Sequence, residues 1–110
     1  MKKLDLTVYA QYGSEVPSDA KQRARATFAN SLLASFGGSV ERAQGAHDDY
    51  YLGRAYQSRE RADRERAAPW KDAWTKAFRA VALEEPVYFA LDDNCFDVSF
   101  TEEEDESGKP

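Results

Sequence analysis

The chain has a single cysteine, Cys95, and a single histidine, His47, among its 110 residues. One cysteine cannot form an intramolecular disulfide, on which secreted domains of this size usually depend. No stretch approaches the roughly 18 consecutive apolar residues that a membrane span requires, and Asp5 and Thr7 interrupt the apolar run that a secretory signal would need. We therefore expect a protein of the reducing cytoplasm that does not associate with membranes.

Side chains that serve in catalysis and metal binding are also scarce. A lone histidine excludes a His pair, an HExxH motif and a zinc cluster, and we expect His47 in a loop or at a helix cap. Cys95 lies in an acidic stretch, which disfavours the thiolate that a nucleophile needs. There is no glycine-rich phosphate loop, and residues 92–97 lack the glycine and final glutamate of an EF-hand loop. We expect no catalytic residue, no cofactor, no metal site and no enzymatic activity.

The N-terminal third predicts a strand followed by a helix. Apolar and polar side chains alternate across residues 4–12, which is the pattern of a half-buried strand. Ser18 can cap the helix that follows, and Gly37 and Gly38 supply its left-handed exit. The apolar residues of this helix recur at every fourth position: Ala20, Ala24, Phe28, Leu32 and Phe36.

The next stretch, residues 39–54, is harder to interpret from its pattern. Its apolar side chains are too sparse to separate a short strand from a helix capped by Asp48 or Asp49. The sequence pattern alone therefore does not determine the secondary structure of these residues.

Two adjoining helices are predicted in the second half of the chain. Residues 56–68 are highly charged and predict a marginal helix with two i,i+4 ion pairs, Glu60 with Arg64 and Arg61 with Glu65. Pro69 then occupies the natural first position of a further helix. The apolar stripe of this helix has core spacing and comprises Trp70, Trp74, Ala77, Phe78 and Val81.

The C-terminal part predicts a hairpin and a tail. Residues 87–91 and 96–100 alternate as strands do, and Asp92-Asp93-Asn94 between them suits a turn. The hairpin needs the first strand and the helices to be stable. We therefore expect one α+β domain over residues 1–100, with the order β-α-α-α-β-β and helices packed on one face of a sheet of about three antiparallel strands. Residues 101–110 lack hydrophobic side chains and predict a disordered acidic tail.

Charge is distributed unevenly along the chain. The formal net charge is -5, but ten acidic residues and no basic one lie between Glu84 and Glu106. The first 83 residues hold ten acids and fourteen of the fifteen basic residues, a formal charge of +4. Acids in the hairpin, extended by the tail, predict an anionic surface that attracts basic grooves. The predicted partner-binding residues are Asp92, Asp93, Asp97, Glu102, Glu103, Glu104, Asp105 and Glu106.

An arginine-rich segment at residues 54–66 is the second candidate interface. Three tyrosines, Tyr50, Tyr51 and Tyr56, precede or interrupt its arginines, a composition that can contact phosphates and stack on bases. The arginines are Arg54, Arg59, Arg61, Arg64 and Arg66. Acids within the segment and the acidic chain as a whole argue against nucleic-acid binding, because domains with that function are usually basic. We expect this segment to pair with itself or with the acidic hairpin, and we expect no direct binding of nucleic acid.

In overall profile the chain resembles the small acidic inhibitors made by phages and other mobile elements, of the anti-CRISPR and anti-restriction type. The resemblance rests on chain length, the lone cysteine and the ten acids from Glu84 to Glu106. It implies a stoichiometric inhibitor that blocks the basic nucleic-acid groove of a host protein or ribonucleoprotein with a surface that mimics DNA. The alternative function is a small adaptor or assembly subunit whose acidic tail only aids solubility.

Overall fold

Among the residues that the structure describes, two antiparallel strands from the beginning and the end of the sequence pair in a sheet. The computed structural model describes residues 2–10, 16–52, 59–85 and 96–104. Within these ranges the chain is α+β and forms, in order, β1 (Lys2–Ala10), α1 (Ser18–Ala34), α2 (Val40–Tyr51), α3 (Arg61–Glu84) and β2 (Phe96–Glu104). The predicted strand at residues 87–91 and the predicted turn at residues 92–94 lie outside the described residues.

The register of β1 and β2 explains the alternation seen in their sequences. Leu6 lies opposite Phe100, and Val8 lies opposite Val98. Residues directly opposite one another in an antiparallel pair share a face of the sheet. The apolar positions of both strands therefore form one face, which packs against the helices and joins the core.

Strand β2 is longer than the sequence pattern predicts. It continues through residues 101–104, where a disordered tail was expected, and Thr101 lies opposite Asp5. Glu103 and Glu104 have Lys3 and Lys2 as their register partners. Backbone pairing with β1 places these polar residues in a strand, although no local apolar pattern marks them.

Helix α1 buries the first four residues of the predicted apolar stripe, and the fifth, Phe36, is buried in the turn that leads to the predicted glycines. Its first helical residue is Ser18, with Pro17 at the cap position, one residue earlier than predicted. Gly37 and Gly38 have φ values of 65° and 79°, and the Gly38 N–H donates to the Leu33 carbonyl at 2.8 Å. This left-handed exit satisfies carbonyls that the helix end would otherwise leave without donors.

Helix α2 accounts for most of the stretch that the sequence left open, of which residues 53 and 54 lie outside the described residues. Ser39 caps it, because its hydroxyl oxygen accepts from the Arg42 backbone N–H at 3.2 Å. The caps suggested by Asp48 or Asp49 are therefore wrong, since both residues lie inside the helix. Its buried face consists largely of small residues, Ala43 and Ala46, which explains why the apolar signal was weak.

Helix α3 joins two segments that the sequence separated. It is continuous from Arg61 to Glu84, so Pro69 lies inside the helix and not at its start. The predicted ion pair between Arg61 and Glu65 is present at 3.2 Å. Proline removes one backbone donor from the ladder. Burial of Ala67 and Trp70 on either side of Pro69 favours continuation despite this loss.

Aromatic rings connect the helices to the sheet. Phe28 of α1 is fully buried, with its ring stacked on Phe96 of β2 at 4.5 Å and set edge-on to Trp74 of α3 at 4.9 Å between centroids. Phe78 contacts Phe96 from a second direction, at 6.0 Å. Over the part of the chain that the structure describes, no helix combines the length and apolar character needed to cross a membrane.

Candidate functional site

The structure describes part of the predicted acidic surface. Asp97 and Glu102 are exposed on β2. Glu103 and Glu104 are placed in the same strand by the register, whereas Asp92, Asp93, Asp105 and Glu106 lie outside the described residues. Because successive side chains in a strand point to opposite faces, Asp97 and Glu102 belong to different faces of the sheet. The two acids are ordered, but they do not form a single ridge.

The face of the sheet away from the helices is polar. Tyr9 lies opposite Asp97, Thr7 opposite Ser99, and Asp5 opposite Thr101, so these six residues share that face. Asp97 and Thr101 are exposed, and Asp5 is partly exposed. Two carboxylates, three hydroxyl groups and a phenol therefore lie on a backbone fixed by strand pairing. We call this set the outer sheet face.

Two other acids of the C-terminal segment have a structural role. The Arg23 Nε atom donates to Glu85 Oε1 at 2.6 Å, and the Thr27 hydroxyl donates to Glu84 Oε2 at 2.7 Å. Both contacts join α1 to the C-terminal end of α3. Glu84 and Glu85 thus contribute to helix packing, and the acidic surface has fewer available carboxylates than the sequence suggests.

Arg23 also bonds within its own helix. Its Nη1 atom donates to Asp19 Oδ2 at 3.2 Å, and the Ala20 N–H donates to Asp19 Oδ1 at 3.0 Å. The hydrogen bond from Arg23, followed by the one from the Ala20 backbone, lowers the pKa of Asp19. The hydrogen bonds to Glu85 and then to Asp19 raise the pKa of Arg23.

The arginine-rich segment begins α3 and pairs with groups close to it. Arg61 contacts Glu65, and Arg66 contacts Asp63 at 2.9 Å. Arg64 donates to the backbone carbonyl of Arg59 at 3.0 Å. These contacts agree with the expectation of a self-paired segment over residues 59–66, whereas Arg54 and Tyr56 lie outside the described residues.

An open groove of about 610 Å³ lies between α2, α3 and β2. Helix α2 contributes three residues with rings. Helix α3 contributes two tryptophans and two polar residues, each of which directly follows a tryptophan. Strand β2 forms the remaining wall. We call this site the aromatic groove. It is lined by His47, Tyr50, Tyr51, Trp70, Lys71, Trp74, Thr75, Phe96, Asp97 and Val98.

His47 is the central ring on the α2 side of the aromatic groove. Its ring centroid lies 4.8 Å from Tyr51, 5.1 Å from Trp70 and 5.2 Å from Phe100. Its Nδ1 atom lies 3.1 Å from Asp48 Oδ1, which fixes the ring orientation. The expectation that His47 occupies a loop or cap is therefore wrong, because it lies inside α2 and packs against rings of three elements.

Sequence reasoning missed the aromatic groove as a site. The sequence places Trp74 in the core, and its side chain does pack against the core, but it is only partly buried and also lines the groove. A readable signal was present on α2, where His47, Tyr50 and Tyr51 stand at i, i+3 and i+4 and thus share a helix face. That signal becomes informative only once residues 40–51 are known to be helical.

The polar residues of the aromatic groove come from two sides. Lys71 and Thr75 are exposed and one turn apart on α3, and Asp97 borders the groove on β2. Lys71 is the one lysine, and there is no arginine, among the described groove residues. Rings with a single ammonium group can hold a flat ligand by stacking and an anion by a charged hydrogen bond.

Among residues 2–10, 16–52, 59–85 and 96–104, no three His, Cys, Asp or Glu side chains are grouped so that they could hold a metal ion.

Comparison of the chain with protein-family models, with curated proteins and with solved structures finds no match.

Proposed function

We propose that this protein is a non-enzymatic binding protein of the phage inhibitor type, which blocks a nucleic-acid-binding defence complex through its acidic surface. The observation that supports the proposal is the outer sheet face, where Asp5 and Asp97 are held on paired strands. Carboxylates fixed before binding lose little conformational freedom in a complex, so their contacts keep more of their energy. The partner would be a host protein or ribonucleoprotein with a groove lined by lysine and arginine.

The proposal includes the predicted third strand at residues 87–91 and the turn that follows it. In that arrangement Asp92 and Asp93 extend the acidic surface beyond the start of β2. The carboxylates of the outer sheet face and of this turn would then stand in for phosphates, and the partner would lose its site without being chemically altered. We place this activity in the cytoplasm, where nucleic-acid-binding defence complexes act.

Capture of the partner is the first experiment. The tagged chain is purified from its native host, bound proteins are identified by mass spectrometry, and the complex is challenged with duplex DNA. We expect a nucleic-acid-binding protein that DNA displaces, because the two ligands would compete for one groove. A partner that retains the chain in excess DNA would contradict the proposal and favour the adaptor or assembly subunit.

Matched charge variants then test the surface itself. We expect Asp5→Asn with Asp97→Asn to weaken partner binding by about tenfold or more, since both carboxylates would face basic groups. Asp49→Asn with Asp72→Asn removes the same charge from exposed positions on α2 and α3 and should have little effect beyond the association rate. Equal affinities of the two double variants would show that the outer sheet face is not the interface.

A further inference from the structure

The proposed inhibitor uses the outer sheet face and leaves the aromatic groove without a role. We infer that the aromatic groove binds a small ligand with a flat aromatic ring and an anionic group. This site goes beyond the proposed function, because the residues that would recognise the ligand are on α2 and α3 and not on the acidic surface.

The ring residues provide the stacking surface. Trp70 is almost completely buried at 1% exposure and forms the floor, whereas Tyr51 is 43% exposed and Trp74 is partly exposed. Trp70 and Trp74 lie 6.0 Å apart between centroids, and Tyr50 lies 4.8 Å from Tyr51. Packed rings of this kind are rigid, and a flat ligand gains contact without ordering them. The groove volume of about 610 Å³ falls in the range of small-molecule sites.

The charged and polar side chains of the groove favour a ligand with an anionic group. Lys71 contributes an ammonium group from α3, and the Thr75 hydroxyl lies one turn further along the same helix. Asp97 also borders the groove on β2, but the strand register places it on the outer sheet face, away from the helices. An anionic group would therefore lie against Lys71 and Thr75, while the ring of the ligand stacks against tryptophan and tyrosine.

Nucleoside monophosphates and aromatic carboxylates both combine a flat aromatic ring with an anionic group. Their binding can be measured by intrinsic fluorescence, because the two tryptophans of the chain, Trp70 and Trp74, both line the groove. Adenosine monophosphate and phenylacetate are the two anionic probes, and adenosine is the neutral control. We expect saturable quenching by at least one anionic probe. The probe that binds more tightly shows whether the site prefers a phosphate or a carboxylate. No saturable quenching by either, or adenosine binding as tightly as its monophosphate, would overturn the inference.

Two lysine variants test the role of the ammonium group. Lys71→Met should weaken binding of the anionic probe by about tenfold or more, since a hydrogen bond to a charged group is lost. Lys76→Met removes the same charge from an exposed position of α3 outside the groove and should leave binding unchanged. Equal affinity of the Lys71 variant and the parent would contradict the inference.

Asp5→Asn separates this inference from the proposed inhibitor function, because Asp5 lies on the outer sheet face and does not line the groove. It should leave binding of the anionic probe unchanged, whereas it should weaken the partner complex. A loss of probe binding in this variant would contradict the assignment of the ligand to the aromatic groove.

Discussion

Arg23 of α1 donates through Nε to Glu85 at 2.6 Å, just beyond the C-terminal end of α3. The same guanidinium group also donates to Asp19 in the first turn of α1. A single side chain therefore connects α1 to the end of α3 and also stabilises the start of α1. We expect Arg23→Ala to lower the melting temperature more than Arg25→Ala, an exposed arginine of the same helix. The difference should shrink at high salt, because the Arg23 side chain is half exposed and salt screens its charged contacts. Thermal unfolding followed by circular dichroism measures it, and equal melting temperatures would show that the contact does not stabilise the fold.

The lowered pKa of Asp19 predicts a pH dependence of stability. Its ordinary pKa is 3.8, and Arg23 lowers the value in the folded state. A lowered folded-state pKa stabilises the fold at pH values above the unfolded pKa, and this stabilisation is lost as pH falls through the folded-state value. Asp19→Asn should therefore be less stable than the parent at pH 7, with a difference that diminishes below about pH 4. Urea unfolding at several pH values measures this. The difference should also decrease in an Arg23→Ala background, since Arg23 is its main cause.

The contact of Phe28 with Phe96 and Trp74 predicts a large effect of truncation. Phe28→Ala should reduce the free energy of unfolding by about 3–5 kcal/mol, because it leaves a cavity where helix and sheet meet. Leu83→Ala is the control, since Leu83 is 84% exposed, and it should change stability by less than about 0.5 kcal/mol. Denaturant unfolding compares the two, and similar losses would argue against the packing described.

Pro69 inside α3 predicts that a substitution can stabilise the protein. Proline in a helix interior is less favourable than alanine by about 3 kcal/mol, through a missing donor and a steric clash. Pro69→Ala should therefore raise the free energy of unfolding by about 1–3 kcal/mol. The lower end of this range applies if the greater flexibility of the unfolded chain, which loses a proline, offsets part of the gain. Ala68→Gly, on the preceding residue, should change stability in the opposite direction. A less stable Pro69→Ala variant would indicate that the proline is needed at this position.

The length of β2 predicts two different outcomes for C-terminal truncation. Removing residues 101–110 deletes the strand partners of Lys2 to Asp5, so the backbone amides at the start of β1 should exchange with solvent much faster. Removing residues 105–110 keeps every described strand pair and should leave that exchange unchanged. Hydrogen exchange read by mass spectrometry distinguishes them, and equal protection in both truncations would contradict the register.

Regular apolar periodicity made much of the fold predictable. Strand β1, the stripe of α1 that includes Phe28, and the stripe of α3 that includes Trp70 each repeat at the spacing of their structure. The end of α1 followed from Gly37 and Gly38, where positive φ values favour glycine. These features depend on residues close together in the sequence.

The features that were missed depend on distant residues. Residues 101–104 are in a strand because β1 is beside them, and nothing in their own composition shows it. Pro69 would start a helix by local preference, but burial on both sides of it keeps α3 continuous. The aromatic groove forms only where α2, α3 and β2 converge, so the rings of His47 and Trp74 gave no joint signal.

The pairing of Lys2 with Glu104 has a consequence for the order in which the molecule is made. During synthesis β1 is produced first, yet its described partner follows all three helices along the chain. Contacts between residues so far apart in sequence form slowly. The helices can therefore dock on one another while β1 still has an open edge, and such an edge is exposed to wrong pairing. Until residues 96–104 have left the ribosome, the nascent chain can form its helices while β1 is without the strand that pairs with it in the folded protein.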